Sequence, residues 1–264
     1  MSRGAIIELD ALAYSYGDTR AVDGISLQIL PGEILGYIGP NGAGKTTTVR
    51  ILVGMLQGFE GRASVGGCDV RTQPLEVKRQ IGYVPESAAL YESLTPEEFF
   101  TFVARIRGMP DTLSRRRSRR LLELLGMKEG YDQRISGFSK GMRQKVLLVA
   151  GILHNPKVLF LDEPLSGLDA NSVVTFKEVI QLLAARGHSI FYCSHVMDVV
   201  ERVCHRIVII NRGRIVADGT FGQLQQLAEA GSLEHIFTRL TSDESQEQVA
   251  ESFVDVLFED GFDD

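Results

Sequence analysis

Short apolar, β-branched runs alternate with longer stretches of helical period along most of the chain. The runs at residues 34–38 (ILGYI), 158–161 (VLFL) and 189–193 (SIFYC) lack the in-and-out alternation of a half-exposed strand. Such runs predict strands covered on both faces, as in a parallel sheet. Further strands are expected over 6–16, 25–30, 81–84, 206–210 and 214–217. The last two are joined through Asn211-Arg212-Gly213, a turn signal for a hairpin. Apolar residues three and four apart predict helices over 45–56, 96–106, 112–125, 140–153, 171–185 and 197–202.

Strand-then-helix alternation predicts an α/β fold with a mainly parallel sheet flanked by helices. The first thirty residues read instead as an antiparallel β addition. Between Glu86 and His154 the strand signal lapses, which predicts a helical subdomain over about 87–154 inserted into the core. The expected organisation is one domain over 1–228 and an appendage over 229–264, in which Val249, Phe253 and Val256 have helical spacing.

Charge sharpens this picture. The chain has 34 acidic and 28 basic residues, yet nine of the acids and no Lys or Arg fall in residues 241–264. The remainder is therefore only slightly basic, which argues against a protein that coats nucleic acid, and no nucleic-acid partner is expected. Cys68, Cys193 and Cys204 are far apart, so neither a disulfide framework nor a zinc site is expected, in keeping with a reducing compartment. The opening MSRGAIIELD has no apolar core of a signal peptide. The longest apolar stretches, 146–153 and 207–210, fall short of the roughly 20 residues that cross a bilayer.

Candidate chemistry begins at Gly39-Pro40-Asn41-Gly42-Ala43-Gly44-Lys45-Thr46, which fits G-x-x-x-x-G-K-[ST] between a predicted strand and a predicted helix. Glycines let successive backbone N–H groups turn inward on an anion, and the new helix aims its positive end at the same point. Lys45 is placed to neutralise the β- and γ-phosphates of a nucleotide, and Thr46 to offer a hydroxyl to Mg²⁺. A carboxylate is needed on a neighbouring strand, and KVLFLDEP (157–164) supplies Asp162 as a metal ligand. Glu163, one residue on, is placed to polarise an attacking water as general base.

Taken with these residues, three further segments make the chain resemble the ATP-binding subunits of ABC transporters from Ile6 to about Gly219. Phe138-Ser139-Lys140-Gly141-Met142 resembles the signature motif, with Lys140 and Met142 in place of a glycine and a glutamine. Ser166-Gly167-Leu168-Asp169 resembles the D-loop, and His195 matches the switch histidine. Glu86 stands where the family has a Q-loop glutamine. This Glu and the lysine in the signature resemble stand-alone subunits that serve separate permeases of the ABC-2 type, as does LEHIFTRL (233–240).

The resemblance implies a P-loop NTPase core that binds ATP with Mg²⁺ held by Thr46, Asp162 and Glu86. It implies catalytic roles for Lys45, Glu163 and His195, with residues from Gly39 to Thr47 wrapping the phosphates. Tyr16 falls where an aromatic stacks on adenine, with Tyr14 next in line; the alternative is a core aromatic on a strand. Ser139 and Gly141 are implied to complete the site of a second ATP-binding subunit, same or different, with Asp169 near the seam. For His195 the alternative to this role is a satisfied histidine at a strand end. The run from Arg115 to Arg120 reads by default as a solvated helical face, with anionic lipid or an acidic partner as the alternative.

The implied function is ATP hydrolysis that powers an integral membrane permease, from a cytoplasmic position on the inner face of the membrane. The alternative is a non-transport ABC ATPase that switches another macromolecule. Against it, the chain has one P-loop rather than two, and Lys45 and Ser139 lie only 94 residues apart, with no room for a long coiled coil.

Overall fold

The computed structural model describes residues 4–87, 90–228, 231–241 and 254–255. Its fold is α/β, as the alternation predicts, and it is built on two sheets. Strands β1 (Ile7–Tyr16) and β2 (Thr19–Ile29) form a long hairpin, widened by β4 (Glu60–Val65) and β5 (Cys68–Asp69) into an antiparallel sheet of order β2-β1-β4-β5. The second sheet holds β3 (Ile34–Ile38), β6 (Ile81–Val84), β7 (Val158–Asp162), β8 (Ser189–Cys193), β9 (Arg206–Asn211) and β10 (Arg214–Gly219). Its order is β10-β9-β3-β8-β7-β6, and all neighbours are parallel except β10 on β9. That antiparallel pair turns through Arg212 and Gly213, whose φ values of 48° and 78° are the two positive φ angles of a tight two-residue hairpin loop.

The helices are α1 (Lys45–Leu52), α2 (Pro74–Gln80), α3 (Pro96–Ile106), α4 (Asp111–Leu124), α5 (Lys140–Ile152), α6 (Ala170–Ala185), α7 (Met197–Val203), α8 (Phe221–Ala228) and α9 (Leu233–Thr241). Several boundaries depart from expectation. The helix expected over 45–56 stops at Leu52, because the chain turns into a left-handed residue at Gly54, φ 70°. Strand β2 begins at Thr19 rather than at residue 25, since pairing with β1 recruits a polar stretch that carries no apolar pattern. The polar EGRASV segment likewise becomes β4 by pairing with β1. Gly61 permits that approach: a Cβ there would stand 2.3 Å from the Ala11 carbonyl oxygen.

Burial follows the layers. Both faces of β3, β7 and β8 are covered, so every residue in them is buried. On one face Tyr37, Phe191 and Phe160 stack in series, with ring centroids 4.9 and 5.5 Å apart, beneath the antiparallel sheet and α1. On the other, Ile38, Leu161 and Ile190 pack against Phe176 and Ile180 of α6, Val200 of α7, Leu224 of α8 and Ile236 of α9. A third apolar cluster joins Phe100, Leu122, Tyr131, Val146 and Val149 from α3 to α5. In α4, Leu122 is buried, whereas Leu124 is 60% exposed. Its arginines are mostly paired: Arg115 and Arg119 with Glu97, Arg119 also with Asp132, and Arg120 with Glu123. The helical spacing of Val249, Phe253 and Val256 lies outside the described residues. Among the described residues no helix is long and apolar enough to cross a membrane.

One polar tether links α3 to the sheet. Arg107 at the end of α3 donates to the carbonyls of Lys78 (2.5 Å) and Ile81 (2.9 Å), with the His154 Nε2 at 2.9 Å. Burial, reinforced by the Arg107 charge, pushes the His154 imidazole down to about 4. A histidine depressed in the fold binds fewer protons than it does unfolded, so its contribution is complete above about pH 6.5 and is lost as pH falls toward 4. Allowing for partial access of water, about 1–2 kcal/mol is at stake. Urea melts across that window should show a shallower loss of stability in His154→Gln than in the parent; parallel slopes would refute the assignment.

Candidate functional site

Strand β3 delivers the chain into the loop 39–44, and α1 starts immediately after it. Two glycines there are required by contact. A Cβ on Gly39 would lie 2.4 Å from the Ile210 carbonyl oxygen, and one on Gly44, which has φ 106°, would lie 2.3 Å from that of Ala21. The loop is thus pressed between β2 and β9. Helix α1 has no side-chain cap and no acid in its first turn, so its leading N–H groups and positive dipole are left for an external anion. Lys45 folds back over the loop and donates to the carbonyls of Gly39 (2.5 Å) and Pro40 (3.0 Å). The Thr48 hydroxyl bonds the Gly44 carbonyl at 3.0 Å and pins the first turn from inside.

A cavity of about 500 Å³ opens at this point, lined by Asn41 to Thr47, Glu86, Asp162, Glu163 and His195, with Ala21 from β2. Apart from Ala21, these residues lie at or just past the carboxyl ends of β3, β6, β7 and β8, the edge where open α/β sheets bind ligands. The cavity gathers three carboxylates. Asp162 is 4% exposed, and its carboxyl is pushed up to about 6, first by burial and then by Glu163 and Glu86, against the pull of Lys45 and Arg50. Glu163 adopts φ 47°, unusual for a side-chain-bearing residue, which turns its carboxylate toward the end of β8. There Oε1 accepts from the His195 backbone N–H at 2.8 Å and lies 2.8 Å from His195 Nδ1, while Oε2 accepts from the Ser194 hydroxyl at 3.0 Å.

The remaining candidates lie elsewhere. Tyr16 is not in the cavity lining; it stands 45% exposed near the tip of the β1–β2 hairpin, its ring edge-on to Tyr14 at 4.9 Å. Ser139 caps α5, accepting from the Met142 N–H at 3.3 Å. Gly141 sits where a Cβ would meet the Gly167 carbonyl oxygen at 2.3 Å. Asp169 caps α6 by accepting from Ser172 and pairs with Lys145 at 2.8 Å, and these partners, Lys145 foremost, hold its carboxyl well below the usual range. Sequence reasoning passed over Ala21, Arg50 and Ser194. Of these only Ser194 carries a signal, as a hydroxyl directly before His195 at the end of a buried strand.

The arrangement suits a polyphosphate: a helix tip and a lysine for the anion, with carboxylates around a cation beside it. Comparison with known proteins agrees. The family model described as ABC transporter matches residues 22–166. The ABC transporter ATP-binding protein NatA of Bacillus subtilis (strain 168) is 35% identical over 219 residues, covering 83% of this chain and 89% of that protein. The Nod factor export ATP-binding protein I of Paraburkholderia xenovorans (strain LB400) is 36% identical over 215 residues, covering 81% and 71%. A solved structure described as the ATP-binding subunit of an ABC transporter superposes with a TM-score of 0.84 at 30% identity, covering 90% of this chain and all of that one. On the matched family, these relatives and the cavity together, the chain belongs to the ABC transporter family as an ATP-binding subunit, an ATPase.

Proposed function

We propose that the chain dimerises around ATP and, by hydrolysing it, drives a separate membrane permease that exports its cargo. The observation that carries this reading is the single cavity in which the phosphate loop meets Asp162, Glu163 and His195. Asn41 to Thr47 wrap the phosphates, and Lys45 exchanges its loop carbonyls for the β- and γ-phosphate oxygens. Glu163 takes a proton from the attacking water, and His195 contacts the γ-phosphate. Tyr16 packs on adenine at the hairpin from which Ala21 lines the cavity.

A divalent cation fits the donor set. Burial and crowding by two other carboxylates raise the Asp162 carboxyl, which marks negative charge that Lys45 and Arg50 only partly offset. Thr46, Asp162 and Glu86 would hold Mg²⁺, which would supply charge neutralisation at the phosphates.

Dimerisation is supported by the position of Ser139 and Gly141, which lie at the tip of α5 and outside the chain's own cavity. There they are available to a nucleotide bound by a second subunit. The organisation that goes with this reading is a nucleotide-binding domain over 1–228, its helical subdomain over 87–154 and an acidic appendage over 229–264. Export is the direction named for the Nod factor relative, and an ATP-binding subunit of this kind works from the inner face of the membrane.

The test is nucleotide affinity. Lys45→Ala removes a charged hydrogen-bond donor worth about 1.5–3 kcal/mol, so a fluorescent ATP analogue should bind about 10- to 100-fold more weakly. Equal affinity would overturn the phosphate assignment, and failure of any membrane protein to copurify with the intact chain would overturn the transport role.

A further inference from the structure

Glu163 is anchored through both carboxylate oxygens by the two residues that follow β8, and the two anchors differ in kind. His195 is a surface residue with 76% of its side chain exposed, and it holds Oε1. Ser194 is 2% exposed and holds Oε2 alone. The direction of the Ser194 proton is fixed by its neighbours. The Val196 backbone N–H donates into the Ser194 oxygen at 3.1 Å, and an ionised Glu163 can only accept. The hydroxyl hydrogen therefore points at Oε2. A bond from a neutral donor to a charged acceptor, shielded from water, is stronger than an ordinary one and restrains the carboxylate's rotation.

That restraint answers a need created by the backbone. Glu163 sits at φ 47° just past β7, so its side chain leaves the strand at an angle that the strand itself does not brace. The Glu163 N–H is bonded to the Cys193 carbonyl at 2.9 Å, and the Ser194 side chain adds a second link between the same two segments. A carboxylate oxygen has two lone-pair directions, and Ser194 takes one on Oε2. The other stays free on an oxygen whose position is fixed.

We propose that Ser194 is a positioning residue for hydrolysis: by donating to Oε2 it holds Glu163 in the orientation from which the free lone pair on that oxygen accepts the proton of the attacking water. This rests on the reading of Glu163 as general base. Ser194 itself touches no substrate, so its loss should act on turnover and not on nucleotide capture.

The experiment uses the full chain and compares Ser194→Ala, Ser194→Cys, Ser194→Thr and Glu163→Gln for single-turnover ATP hydrolysis, fluorescent-nucleotide affinity and thermal unfolding. Removing a hydrogen bond to a charged group should lower the single-turnover rate constant of Ser194→Ala about 10- to 100-fold, with nucleotide affinity unchanged. Ser194→Cys, close in size but a much weaker donor, should fall in the same direction, which guards against misfolding of the alanine variant. Ser194→Thr restores the hydroxyl and should recover most of the rate. In the Glu163→Gln background, adding Ser194→Ala should cost nothing further. Wild-type turnover in Ser194→Ala beside an inactive Glu163→Gln overturns the claim for Ser194 alone. An equal loss in both backgrounds also overturns it, and an active Glu163→Gln overturns the reading of Glu163 on which it rests.

Discussion

Replacing Glu163 with glutamine should stop turnover while leaving ATP bound. The substitution is nearly isosteric, so the side chain still fits between Ser194 and His195, and the amide oxygen can still accept one of their hydrogen bonds. What disappears is the capacity to take up a proton. Positioned general bases contribute roughly 10²–10⁴ in rate, and a loss in that range is expected here. The loop 39–44, Lys45 and Asp162 are untouched, so affinity for a fluorescent ATP analogue should match the parent. Because hydrolysis is what dissolves the proposed ATP-bound dimer, the variant should also accumulate as a dimer on size-exclusion chromatography in ATP. Undiminished turnover would remove Glu163 from the role of base.

The largest effect on stability is expected at Phe160. Its side chain is fully buried in the middle of β7, stacked on Phe191, which in turn contacts Tyr37. This aromatic series fills the space between the parallel sheet and the antiparallel one, where no neighbouring side chain is loose enough to collapse into a void. Phe160→Ala should therefore cost about 3–5 kcal/mol, of a total stability on the order of 5–15 kcal/mol for a domain. Urea unfolding followed by circular dichroism should show the midpoint shifted by a corresponding amount. Asp162 lies two residues further along the same strand, so nucleotide affinity is expected to weaken as well. An unchanged midpoint would show that the core repacks around the gap.

Much of this was readable in the chain because the two strongest signals are local. A strand buried on both faces must be apolar throughout, which is why 34–38, 158–161 and 189–193 predict β3, β7 and β8. A phosphate loop must spell its glycines where the backbone has no room, as at Gly39 and Gly44. What the sequence hid depends on pairing across distance. Strand β4 and the first half of β2 are polar and acquire strand structure only from β1, through contacts that no periodicity records. The convergence of Glu86 with Asp162 was legible only by resemblance, since a 76-residue interval of sequence separates two ends of neighbouring parallel strands. Ser194 offers a single local signal, a hydroxyl just before His195; its bond to Glu163 joins positions 31 residues apart, which no local pattern records. In the leucine run of α4 the sequence does not say which side chains turn inward: Leu122 is buried and Leu124 faces water.

The contact between Gly141 and the Gly167 carbonyl has a mechanical consequence. With no side chain between them, and with Lys145 joined to Asp169 one turn later, the tip of α5 and the approach to α6 are fastened to each other at two points. Tilting one therefore carries the other with it.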